Sequence, residues 1–190
     1  MNATSQQESL LGTDELKALG FSRVGKNPHI SRKVAFHKIS GSIGHHVRID
    51  DYCVITGHIV LGNYTHIAPF CLLSGTGAMI TMHNCSGLSS HCSLYTASDD
   101  YRGNVLSNPT VPDDYKNVTR GPVTLGIGVI IGSHSVILPN VTIGDAASIG
   151  AQSILYKNIP EGAVCVSGVR RVDITGRRNV EKIRAAAKLK

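Results

Sequence analysis

The stretch IGHHVRIDDYCVITGHIVLGNYTHIAPFCLLS, residues 43–74, decides the fold. Its aliphatics Ile43, Ile49, Ile55, Leu61, Ile67 and Leu73 recur every six residues. A helix repeats near 3.6 residues and a strand at 2, so neither alone gives that beat. Hexapeptide repeats are the mark of a parallel β-helix. The beat resumes at Met82, Leu88 and Leu94, and again at Leu125, Ile131, Ile137, Ile143, Ile149 and Leu155. With the aliphatic as position one, position two is mostly small (Gly44, Gly62, Ala68, Gly126, Gly132, Gly144, Gly150). Position five is small or β-branched (Val47, Cys53, Thr65, Cys71, Val129, Ser135, Val141, Ser153). Each hexad reads as one short strand and a corner, and three make a triangular turn. Successive turns stack at the strand spacing of about 4.8 Å.

The rest of the chain is consistent with such a coil. Its 190 residues suffice for one domain with a core. Aromatic content is 5%, with no Trp, so aliphatic layers fill the interior. Residues 1–23 read as a tail with a short helix capped by Thr13 and running through Leu19, and 24–172 as the coil. Residues 173–190 read as a basic C-terminal helix capped by Asn179 and serving as a lid. Residues 98–121, SDDYRGNVLSNPTVPDDYKNVTRG, carry no hexad and read as an ordered external loop with a functional role.

The net charge of +6 suits an anionic ligand, but no nucleic-acid motif or aromatic stacking platform accompanies it. No stretch approaches the length of a membrane span, and MNATSQQESLLG lacks the character of a signal peptide. A cytoplasmic location is expected. The five Cys form no CxxC pair and read as small buried residues.

The hexads, the mid-chain loop and the closing string IGSHSVILPNVTIGDAASIGAQSILYKNIPEGAV (131–164) resemble the left-handed β-helix acyltransferases. These include galactoside and maltose O-acetyltransferases and acetyltransferases of bacterial surface sugars. The phrases YTASDDY and NPTVPDDY look like the surface-polysaccharide branch. The resemblance implies a left-handed coil, a homotrimer with clefts between subunits, acetyl-CoA as co-substrate without a metal, and a sugar acceptor. A nucleotide-linked sugar or a glycan hydroxyl or amine would fit that acceptor.

Acetyl transfer needs a base, an oxyanion donor and two aligned substrates. The family often carries its His on the mid-chain loop in a phrase like TGH. Here that phrase falls on Ala97-Ser98-Asp99, without a His. His66, in GNYTHIAP, sits at a corner and is the first substitute. His91, on the strand feeding the loop, and Asp99 are the others. Asp100, Tyr101 and Asn84 are expected to bind the acceptor. By resemblance, Ser133, Ala151, Tyr156 and Lys157 line the CoA groove, and Arg170 and Arg171 face the adenosine phosphates. Two other readings stay open. One is a non-catalytic CoA- or sugar-binding scaffold. The other is a zinc enzyme like the γ-type carbonic anhydrases, although the chain lacks that family's close His spacing.

Overall fold

The hexads do close into a parallel β-helix. The computed structural model describes residues 9–101, 105–167 and 172–188. Along one face run β2 (His29–Ile30), β4 (Arg48–Ile49), β6 (His66–Ile67), β8 (Gly87–Leu88), β13 (Ile130–Ile131), β16 (Ser148–Ile149) and β18 (Ala163–Ser167). They pair in parallel in that order. The other two faces are built from β1 (Phe21–Val24), β3 (Ala35–Ile43), β5 (Val54–Leu61), β7 (Leu72–Met82), β9 (Ser93–Tyr95), β12 (Val123–Leu125), β14 (Val136–Ile137), β15 (Val141–Ile143) and β17 (Ile154–Leu155).

The position-one aliphatics are 0–3% exposed, and Val47, Cys53, Ile59, Val129, Val141 and Ala147 of position five are equally buried. The small fifth residue fits the corner because the fourth takes a left-handed backbone, as at His46 (φ 55°), Tyr64 (φ 57°), His91 (φ 63°) and His134 (φ 60°). That conformation turns the chain sharply and sends the fourth side chain outward. The third edge departs from the simple picture of one strand per hexad. There β3, β5 and β7 run unbroken from one face to the next, with register shifts instead of tight corners. Gly41, at φ 121°, takes one of these bends, and a Cβ there would collide with the Ile59 carbonyl.

Exposed corner rings stack from coil to coil. Tyr52, Phe70, His91 and His134 form a column with centroids 5.2, 4.9 and 4.6 Å apart. Beneath it, inside the coil, Cys53, Cys71 and Cys92 are buried as expected, while Cys85 is half-buried. Burial and the neighbouring thiols push Cys71 up, the thiols of Cys53 and Cys92 having the larger effect.

Both ends differ from the sequence expectation. Helix α1 (Thr13–Ala18) starts one residue after its cap, which is Gly12 and not Thr13. The Glu15 carboxylate closes it by accepting from the Gly12 N–H at 2.8 Å. At the other end residues 173–177, expected within the C-terminal helix, belong to strand β19 (Val172–Arg177), antiparallel to β18. The strand lies past the last hexad, and its pairing with β18 sets its conformation. Helix α2 covers only Val180–Ala186, with the Asn179 carboxamide accepting from the Lys182 N–H at 2.9 Å. It lies along an edge of the coil rather than over its end. Arg184 reaches Asp145 at 2.7 Å and Glu161 at 2.8 Å, and Arg178 donates to the Gly128 carbonyl at 3.0 Å.

The loop leaves and returns through a two-stranded antiparallel ribbon, β10 (Ala97–Asp99) with β11 (Val118–Arg120), and contains a 3₁₀ turn at Asp113–Tyr115. No helix among the described residues is long and apolar enough to cross a membrane.

Candidate active site

On the first face, parallel register puts Arg48, His66, Gly87 and Ile130 in one outward column. Gly87 leaves a gap in it. A Cβ there would meet nothing nearer than the His66 carbonyl at 3.7 Å, so packing does not demand the glycine. The gap is the floor of a cavity of about 300 Å³, lined by His66, Ala68, Ser89, Ser90, Ile130 and Ser133 among others. An imidazole and three hydroxyls therefore converge on one open space.

The state of His66 follows from its neighbours. Its Nε2 lies 2.8 Å from Oδ2 of Asp50, and the Arg48 Nε donates to Oδ1 of the same carboxylate at 2.7 Å. Burial pushes the Asp50 carboxyl up, but the bonds from His66 and Arg48 outweigh it and hold it below the ordinary aspartate range. An ionised carboxylate only accepts hydrogen bonds, so Nε2 carries the proton. In the neutral ring Nδ1 is then the acceptor, and among the described residues nothing occupies it. That is the arrangement a general base needs.

The other expected residues fall in several places. Ser133 shares the cavity with His66. Ala151 is exposed one coil away, where the Gln152 N–H donates to the Ser133 carbonyl. Tyr156 is exposed beyond β17, with Lys157 Nζ 5.6 Å from its ring centroid. Arg170 and Arg171 lie outside the described residues. His91 is not in the cavity, because its ring is sandwiched between Phe70 and His134. Asp99 and Asp100 sit at the base of the loop. The Asn108 N–H donates to Asp99 and the Asn117 carboxamide to Asp100, both at 3.3 Å. Tyr101 follows, 84% exposed. Asn84 is on a different edge, where its carbonyl oxygen accepts from the Asn63 N–H at 2.9 Å.

Arg48, Asp50, Ser89 and Gly87 were missed in the sequence. One signal was available. With eighteen residues per turn, Arg48 must underlie His66, and Asp50 is a carboxylate at a position otherwise mostly small.

A family model described as bacterial transferase hexapeptide (six repeats) matches residues 41–75 and 122–157. A dTDP-4-amino-4,6-dideoxy-D-glucose acyltransferase of Escherichia coli is 42% identical over 131 residues, 67% of this chain and 68% of the relative. The crystal structure of AntD, an N-acyltransferase from Bacillus cereus, in complex with dTDP and 3-hydroxybutyryl-CoA is 39% identical. It covers 94% of each chain with a TM-score of 0.86. A maltose O-acetyltransferase from Clostridium difficile, 22% identical, covers 87% of this chain and 74% of its own with a TM-score of 0.58, a likeness of fold. The chain is an acyltransferase and belongs to the hexapeptide-repeat sugar acyltransferases.

Proposed function

We propose that the protein transfers an acyl group from CoA to the amine of a dTDP-linked 4-amino-4,6-dideoxy sugar. The observation that carries this reading is the near full-length likeness to AntD, solved with dTDP-4-amino-4,6-dideoxyglucose and coenzyme A as a point mutant 38% identical to this chain. The relative from Escherichia coli is named for the same sugar. An amine narrows the sequence expectation of a hydroxyl or amine. Acetyl-CoA remains the expected donor, and the 3-hydroxybutyryl-CoA bound by AntD argues for testing longer acyl groups beside it.

In this reading the acceptor amine attacks the thioester carbonyl. The C–N bond forms, the C–S bond breaks, and the amine's proton passes through His66 Nδ1 to the departing CoA thiolate. Hydroxyls of Ser89, Ser90 and Ser133 are the nearest candidates to donate to the oxyanion. AntD has been solved with a serine replaced and with an aspartate ten residues further on replaced. Of the serine–aspartate pairs with this spacing in the chain, Ser89 with Asp99 and Ser90 with Asp100 are the ones whose serine lines the cavity. Asp99 or Asp100 then holds the acceptor's ammonium, which gives up one proton to solvent before the neutral amine attacks, with Tyr101 beside them. Exposed Ile154 on β17, with exposed Ala151 and Tyr156 on either side of that strand, offers a path for the pantetheine arm, with Lys157 at its phosphate end.

The working unit in this proposal is a cytoplasmic homotrimer. A cavity open along the face of a thin prism needs a neighbouring wall to exclude water, and a second prism supplies one. The test of function is release of free CoA thiol with the dTDP-amino sugar and with its 4-hydroxyl counterpart. Release with the amine alone supports N-acylation. Release with the hydroxyl alone refutes it.

A further inference from the structure

A second cavity, about 280 Å³, lies across one corner from the His66 cavity and is lined by Arg23, His45, Asn63 and Asn84 over the backbone of Gly25, Gly44 and Gly62. Asn63 and His66 are three residues apart, as are Asn84 and Gly87, so at most about 10 Å of chain separates the two cavities.

The polar side chains here share one habit. Each spends its acceptor on a backbone N–H of the adjacent coil. His45 Nδ1 accepts from Lys26 at 2.8 Å, Asn63 Oδ1 from His45 at 2.8 Å, and Asn84 Oδ1 from Asn63 at 2.9 Å. What each has left is a donor: the His45 Nε2–H and two carboxamide NH₂ groups. Arg23 adds a guanidinium, which carries donors only. Among the described residues none of these donors has an acceptor, and no carboxylate lines the cavity.

The same column shows the opposite choice further along. Asp145 Oδ1 accepts from the Ile127 N–H at 2.8 Å, the same structural task, but its second oxygen meets Arg184 of α2 at 2.7 Å. Where a cation covers the edge, the side chain is a carboxylate. Where the edge is open, the side chains are an imidazole and two amides that present donors.

We infer that the Arg23–His45–Asn63–Asn84 cavity is a binding site for a phosphate-class oxyanion. Charge-assisted bonds from Arg23 supply most of the attraction, and the amides fix its position. Three sources share this chemistry: the diphosphate of a nucleotide, the phosphates of CoA, and free phosphate or pyrophosphate.

Isothermal titration of the full chain with inorganic pyrophosphate tests the site without acyl transfer, so it stands or falls apart from the function proposed above. Asn63→Asp keeps the oxygen that caps His45 and replaces only the outward donor, as Asp145 does naturally. Pyrophosphate affinity should fall at least tenfold in Asn63→Asp and in Arg23→Ala, with circular dichroism unchanged. Parallel titrations with dTDP and CoA name the source: the ligand weakened by Asn63→Asp is the one held here. If neither weakens while pyrophosphate does, the site serves a free anion. No pyrophosphate binding by the unmodified protein, or equal binding by Asn63→Asp, overturns the inference.

Discussion

Nε2 of His66 lies 2.8 Å from Oδ2 of Asp50, and this contact decides which imidazole nitrogen is left for chemistry. Because Arg48 holds the other carboxylate oxygen, Asp50 cannot turn away from the ring without breaking a second bond.

His66→Ala should lower kcat by about 10²-fold, the range expected for loss of a general base. Asp50→Asn should act through tautomer. Its one oxygen goes to Arg48, its NH₂ then faces Nε2, and the proton moves to Nδ1. We expect a fall in kcat of roughly tenfold or more, with KM for the acceptor little changed and an altered pH profile. An Asp50→Asn enzyme with unaltered kcat and pH profile would remove the assigned role of Nδ1.

Gly87 separates packing from function. Gly87→Leu should fill the cavity floor and abolish turnover, while the thermal midpoint moves by no more than a few degrees. Gly87→Ala, whose Cβ has room, should keep more of the activity. Steady-state kinetics and a melting curve on both variants check this. Full activity in Gly87→Leu would mean that substrates do not use the space beside His66.

Asp145 ties two parts of the molecule together, capping the Ile127 N–H and receiving Arg184. Burial pushes its carboxyl up, but the Arg184 and Ile127 bonds outweigh that and hold it low, as happens at Asp50. A carboxylate with a depressed folded value stabilises the fold at pH above its ordinary value near 3.9, and that stability is lost as pH falls through the folded value. Urea midpoints should therefore drop as pH falls below about 4. Asp145→Asn should flatten that acid limb. At neutral pH Asp145→Ala should cost about 1–2 kcal/mol through the uncapped N–H, and Arg184→Ala less. Equal costs would mean that the cap at Ile127 contributes nothing.

Much of this architecture could be read from the chain because a hexad constrains its residues twice. Ile49 and Ile67 must point inward, and the residue before each must then point outward, which put His66 on the surface in advance. Numbers in phase also predict neighbours, and counting eighteen residues back from His66 finds Arg48. What spacing could not supply was the direction of a side chain. Asn84 spends its oxygen on the Asn63 N–H and keeps only donors for a ligand, and His91 stacks in a column of rings. The strand at Val172–Arg177 was hidden for another reason. It falls after the last hexad, where pairing with β18 rather than any local period sets its conformation.

The most direct test of the central claim is a crystal structure of the protein with CoA and the dTDP-amino sugar bound together. The account predicts that the CoA sulfur and the sugar amine meet in the space above Gly87, with the amine in hydrogen-bond reach of His66 Nδ1. Finding both ligands seated away from that face, with His66 Nδ1 in contact with neither, would contradict it.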